Sequence, residues 1–140
     1  LRGANLEGAN LRRANLRGAN LDGADLEGAL NIPAEVAAYT TIVPEGTIKA
    51  WKKTRHGVLV ELEIPEKAKR SNGTGRKCRA EYAKVIAIHG ADEAVSQYDS
   101  SFVYRVGEIV KPKNGFDENR WNECVAGIHF YITRAEAEAH

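Results

Sequence analysis

Cys78, Cys124 and His129 are the side chains of this chain best suited to covalent chemistry. A cysteine attacks an electrophile as the thiolate, so it needs a base close by, and an imidazole follows Cys124 by five residues. His129, however, falls inside the apolar run Gly127-Ile128-His129-Phe130-Tyr131-Ile132. A histidine in such a strand is more often a hydrogen-bonded core residue than a catalyst, which makes packing or a buried thiol pair the simpler reading. Zinc wants four ligands with closely spaced cysteines, whereas Cys78 and Cys124 lie 46 residues apart and no fourth ligand is evident. No metal and no cofactor is expected.

A second chemistry is anion binding. Ser71-Asn72-Gly73-Thr74-Gly75-Arg76-Lys77 has the glycines and the following cations of a phosphate nest, without matching the Walker A pattern. The plainer reading is a mobile solvated loop. Around it lie Lys67, Lys69, Arg70, Arg76, Lys77 and Arg79, with Lys52, Lys53 and Arg55 adjacent, and with Trp51 and Tyr82 placed to stack on bases. Of these, Lys69, Arg70, Arg76, Lys77 and Arg79 are the candidate phosphate contacts. Residues 49–84 hold eleven Lys/Arg against four Asp/Glu, and residues 85–140 hold five against nine. The net charge is only +1, which disfavours a dedicated nucleic-acid binder.

These residues need elements to position them. Thr47 to Trp51 is expected to be a strand. Gly57 to Ile64 alternates, with Val58, Val60, Leu62 and Ile64 on one face and Glu61 and Glu63 on the other. Pro65 stops it, and 66–79 reads as a loop. Ala83 to His89 reads as a buried strand, Phe102 to Val110 as a strand bulged at Gly107, and Gly127 to Ile132 as the last strand. Asp117 is expected to cap a helical turn through Trp121, and Thr133 with Glu136 to form a capping box before a final helix. The expectation for 47–140 is an α+β domain dominated by antiparallel strands, with 31–46 as a linker or cap. Two cysteines do not make a disulfide scaffold, no stretch suits a membrane span, and no signal-peptide pattern opens the chain. A soluble intracellular protein is expected.

The most specific pattern is at the start: LRGAN LEGAN LRRAN LRGAN LDGAD LEGAL. A period of five fits neither helix nor strand, and it makes sense if the chain turns a corner in each unit so that every Leu returns to a common axis. The run resembles the pentapeptide-repeat family, with consensus A-(N/D)-L-x-x; Ala4-Asn5-Leu6-Glu7-Gly8 and the four units after it conform. The resemblance implies a right-handed quadrilateral β-helix, four units to a coil. Its core would hold Leu6, Leu11, Leu16, Leu21 and Leu26 with Ala9, Ala14, Ala19 and Ala24. Six units make about one and a half coils. Leu30-Asn31 breaks the pattern and Pro33 ends it. So short a solenoid is expected to stack on something further. With Leu1 opening mid-unit and Met absent, the chain reads as the tail of a longer protein. Some pentapeptide-repeat proteins imitate DNA, but here four arginines balance four carboxylates, which disfavours mimicry.

Phe102-Val103-Tyr104-Arg105-Val106-Gly107-Glu108, the stretch Glu123 to Tyr131, Thr133-Arg134-Ala135-Glu136-Ala137 and Arg76-Lys77-Cys78-Arg79-Ala80 resemble an uncharacterised domain that often ends phage and bacterial pentapeptide-repeat proteins. That resemblance implies an architecture and a phage association, and no reaction. The expectation is a non-enzymatic structural or protein-interaction module, in the bacterial cytoplasm or on a virion. It would have a protein partner or self-associate, without a membrane. The alternative is an enzyme of unassigned reaction using the Cys/His pair. A third reading is phosphate or nucleic-acid binding through the basic loop.

Overall fold

A computed structural model describes residues 3–11, 14, 20–21, 24, 26, 29–32, 36, 40–74, 76–119, 121 and 126–140. In the repeats, the main-chain oxygen of each described Leu accepts from the amide of the Ala three residues on. The pairs are Ala9 to Leu6, Ala14 to Leu11, Ala24 to Leu21 and Ala29 to Leu26, at 2.9–3.0 Å. That bond closes a four-residue turn in each of these four units. Gly8 sits third in its turn with φ +70°, the left-handed position that a type II turn reserves for glycine. The Asn5 side chain accepts from the Glu7 amide at 3.0 Å, which braces the corner.

Leu11, Leu21, Ala24 and Leu26 are buried in one cluster with Val36, and Leu6, Ala9 and Ala14 pack against it. Leu16 and Ala19 lie outside the described residues. Asn10 and Leu30 form a parallel bridge. The Leu11 amide donates to Leu30 O at 2.7 Å and the Leu30 amide to Ala9 O at 2.6 Å. Asn10 and Leu30 are twenty residues apart, the length of four units.

Among the described residues, the C-terminal part has nine strands: β1 (Ile48–Lys53), β2 (Leu59–Ile64), β3 (Arg70–Asn72), β4 (Cys78–Ala80), β5 (Ala83–His89), β6 (Glu93–Val95), β7 (Val103–Arg105), β8 (Ile109–Val110) and β9 (Ile128–Phe130). Helix α1 (Arg134–Ala139) follows. All pairings among these strands are antiparallel, in a sheet β1-β2-β5-β8, a sheet β3-β4-β9 and a hairpin β6-β7. Trp51 and Tyr131 exchange main-chain bonds at 2.9 and 2.8 Å, so β1 meets the end of β9 and the two larger sheets join. Between them lies one core: Val60, Leu62, Ile64, Val85, Cys78, Ala80, Ile128, Phe130 and Tyr104.

Four expectations need correction. The segment expected to be one loop, 66–79, contains β3 and the start of β4, because Arg70–Asn72 pairs with Cys78–Ala80 across a short connection. The strand expected over Phe102–Val110 is two strands in different sheets. Gly107 (φ +87°) turns the chain between them, and its amide donates to Val85 O at 2.8 Å. Asp117 caps no helical turn: its carboxylate accepts from the Asn119 amide, and Asn119 repeats the same bend toward Trp121. The segment 71–77 is anchored where it is described, since Asn72 and Thr74 are buried and bonded to the rest of the molecule.

Candidate functional site: a lysine-lined cavity

The sequence candidates separate in space. Cys78 is fully buried opposite Phe130 in the β4–β9 ladder, whereas His129 is opposite Arg79. Side chains alternate along a strand, so Cys78 faces the core and His129 the other side of the sheet. A catalytic pairing of these two, the alternative reading of the sequence, does not form across this ladder. Cys124 lies outside the described residues.

The arginines of the basic stretch are spent on structure. Arg79 is buried, and its guanidinium donates to the main-chain oxygens of Asp117 (2.9 Å), Ala126 (2.7 Å) and Asn119 (3.0 Å), with Phe116 stacked against it. It therefore ties Asp117, Asn119 and Ala126 together rather than facing a ligand. Arg70 donates to the main-chain oxygens of Pro44, Gly46, Pro65, Glu66 and Ala68, which ties the approach to β1 to the exit of β2. Arg76 makes a bidentate pair with Glu136 at 2.6 and 2.8 Å. Lys69 pairs with Glu118 at 2.7 Å on the surface. Trp51, expected to stack on bases, packs against His89 and under the Arg134 guanidinium instead.

Lys77 has a different neighbourhood. It lines a cavity of about 310 Å³ together with Lys52 and Lys53 from β1, and with His129 and Tyr131 from β9 and its end. Ser96, Gln97 and Tyr98 from the β6–β7 connection and His140 after α1 complete the wall. β1 explains how lysine gets there. Ile48, Ala50 and Lys52 share one face of the strand, and Ala50 is fully buried, so the Lys52 stem follows the core and its amine surfaces in the cavity. That amine donates to His129 O at 3.0 Å. Lys53 donates to the main-chain oxygens of Glu138 and His140 at 3.3 Å each. Tyr131 Oη and His140 Nδ1 are hydrogen-bonded at 3.0 Å. A neighbouring recess of about 290 Å³ shares Lys52, Ser96, Tyr98 and His129 with this cavity.

The cavity is electropositive, and the cations act on one another. Burial, reinforced by the nearby Lys77 ammonium, lowers the Lys52 amine to about 8. Burial and then the charges of Lys77, Lys52 and Lys53 push the His140 imidazole below its ordinary value. Burial, and then the Glu136 carboxylate, raises the Tyr131 hydroxyl. Among the described residues, no carboxylate side chain lines the cavity. Such a wall can hold an anion, and it offers a partly deprotonated amine near neutral pH.

Sequence reasoning placed Lys52 and Lys53 only beside the basic loop, and did not assign Tyr98, Tyr131 or His140 to any site. The available signal was a lysine on the apolar face of β1, two residues after Ala50.

Among the described residues, no group of three or more His, Cys, Asp or Glu stands close enough to hold a metal ion. No helix among them is long and apolar enough to cross a membrane. A model described as pentapeptide repeats (8 copies) matches residues 1–30, and one described as a family of unknown function (DUF5758) matches residues 39–137. No curated protein and no solved structure matches the chain. The second match spans well over half of the chain, so this protein belongs to the DUF5758 family of unknown function, with pentapeptide repeats preceding that domain.

Proposed function

We propose that the chain is a non-enzymatic interaction module. Residues 1–30 form a right-handed quadrilateral β-helical stalk of about one and a half coils, 31–46 a linker, and 47–140 a cap that presents the binding surface. The observation that carries this reading is Trp121. It belongs to the C-terminal part, yet it packs into the cluster formed by the leucines and alanines of the repeats. The Thr74 hydroxyl adds a bond to Ala24 O at 2.6 Å. Asn72 holds the linker by accepting from the Ile42 and Val43 amides and donating to Thr40 O. A coil end has main-chain groups that must be covered, and a cap that shares its core meets that need. The setting that goes with this reading is a phage-associated or bacterial one, cytoplasmic or virion-borne, with a protein partner or a second copy bound to the cap.

The test is hydrogen exchange on the full chain. Trp121→Ala is expected to speed exchange at Leu11, Ala24 and Leu30 by tenfold or more while β2 and β5 keep their protection. Equal exchange in the two proteins would mean that the repeats do not depend on the cap. The Cys/His enzyme reading is weakened by the opposite facings of Cys78 and His129, and phosphate binding at the basic loop by the internal engagement of Arg70, Arg76 and Arg79.

A further inference from the structure

We propose that the cavity between β1, β9 and the β6–β7 connection binds a small organic phosphate, its dianionic group held between the Lys52 and Lys77 amines and its flat portion lying against Tyr98 and Tyr131. The proposal is independent of the stalk reading, because every described wall residue belongs to the C-terminal part.

Charge is the first reason. Several cations elsewhere on this surface meet carboxylates: Arg76 with Glu136, Lys69 with Glu118, Arg105 with Glu93 and Lys113 with Asp99. Lys52, Lys53 and Lys77 instead converge on one cavity with no acidic side chain among its described wall residues. Holding like charges together in a partly buried site is unfavourable unless an anion joins them. Burial first, and then the Lys77 charge, weaken the hold of Lys52 on its proton, and an anion at the amine would offset both. A doubly charged phosphate monoester matches two ammonium groups better than a monocarboxylate does.

Donor geometry is the second. Lys52 gives one N–H to His129 O, which fixes the amine at the wall and leaves two for a ligand. Tyr131 is oriented by its bond to His140.

Shape is the third. About 310 Å³ lies at the small end of small-molecule sites, and the recess beyond Lys52 and His129 gives room for the rest of the ester. Tyr98 is 81% exposed at the rim, an aromatic ring placed where a flat group would cover it. A nucleic-acid strand would need a row of unpaired outward cations, whereas Arg70 and Arg79 are engaged by main-chain oxygens and Arg76 by Glu136.

The experiment is an NMR titration of the full chain with inorganic phosphate and, separately, phenyl phosphate. Both are expected to saturate, with shifts centred on Lys52, Lys77 and His129, and phenyl phosphate to bind several-fold tighter through the tyrosines. Lys52→Met and Lys77→Met should each weaken phenyl phosphate by roughly tenfold or more. Lys67→Met, on the exposed loop, should leave it unchanged. Circular dichroism verifies that the variants fold, and if one does not, the other carries the comparison. Equal affinity for the two phosphates would remove the tyrosines from the site. Absence of binding to the folded chain at millimolar phenyl phosphate, or binding that Lys52→Met and Lys77→Met leave intact, would overturn the proposal.

Discussion

Lys52 shows what one misplaced charge does. Its amine holds a proton only up to about pH 8 in the folded chain, against 10.5 as its ordinary value, because burial and Lys77 both oppose the charge. Between those values the unfolded chain binds the proton and the folded chain has released it, so stability rises with pH across that window. Below pH 8 both states are charged and the full cost of burying the ammonium is present. Lys53, His129, His140, Tyr131 and Tyr98 surround the same cavity, and none has a side chain that is negative near neutral pH. Lys52→Met is therefore expected to stabilise the chain at pH 7 by roughly 2 kcal/mol, with the gain shrinking from pH 8 to 10.5. Urea titrations of the two proteins at several pH values check this, and a difference independent of pH would refute it. Arg79 is the opposite case: a cation still more buried, but with three main-chain oxygens and an aromatic face to receive it.

At the scale of elements, what was legible is what a local code dictates. The five-residue units close their own turns, so they can be read without knowing the rest of the fold. β5 was legible from Ala83-Lys84-Val85-Ile86-Ala87-Ile88-His89, and α1 from Thr133 and Glu136. The Thr133 hydroxyl accepts from the Glu136 amide and also bonds the Glu136 carboxylate, while Arg76 holds that carboxylate below its usual range. Thr133→Ala is expected to cost about 1 kcal/mol, read from the thermal midpoint, since it removes the cap of a helix only six residues long. β3 was missed because Arg70-Ser71-Asn72 has no apolar alternation; its pairing with β4 makes it a strand. The break at Gly107 was misread because sequence does not distinguish a bulge from a turn that sends the chain into another sheet. The cavity was invisible for a related reason. Its residues come from β1, the approach to β4, the β6–β7 connection, β9 and the end of α1, and only tertiary pairing unites them. Sequence did show the cations themselves, and it drew them together as neighbours along the chain, which is how Arg70, Arg76 and Arg79 came to be grouped with Lys77.

For the whole molecule, the bridge between Asn10 and Leu30 sets a clockwork. If twenty residues carry the chain once around a square path, each five-residue unit is one quarter of a revolution. The length of the stalk then also encodes a compass bearing: the direction in which the lysine-lined mouth of the cap faces, relative to anything joined farther up. Four units inserted between Asn20 and Leu21 are expected to lift the upstream residues by one storey and leave their bearing unchanged. One unit inserted there is expected to swing them by a quarter turn. Spin labels at Asn5 and at Glu81 would distinguish the two, because only the single insertion should change the distance by rotation. The near-identical units let the ladder re-form after either change, so stability would hardly register a difference that orientation records in full. A chain assembled this way can re-aim its cap by gaining or losing five residues, with no alteration to the cap itself.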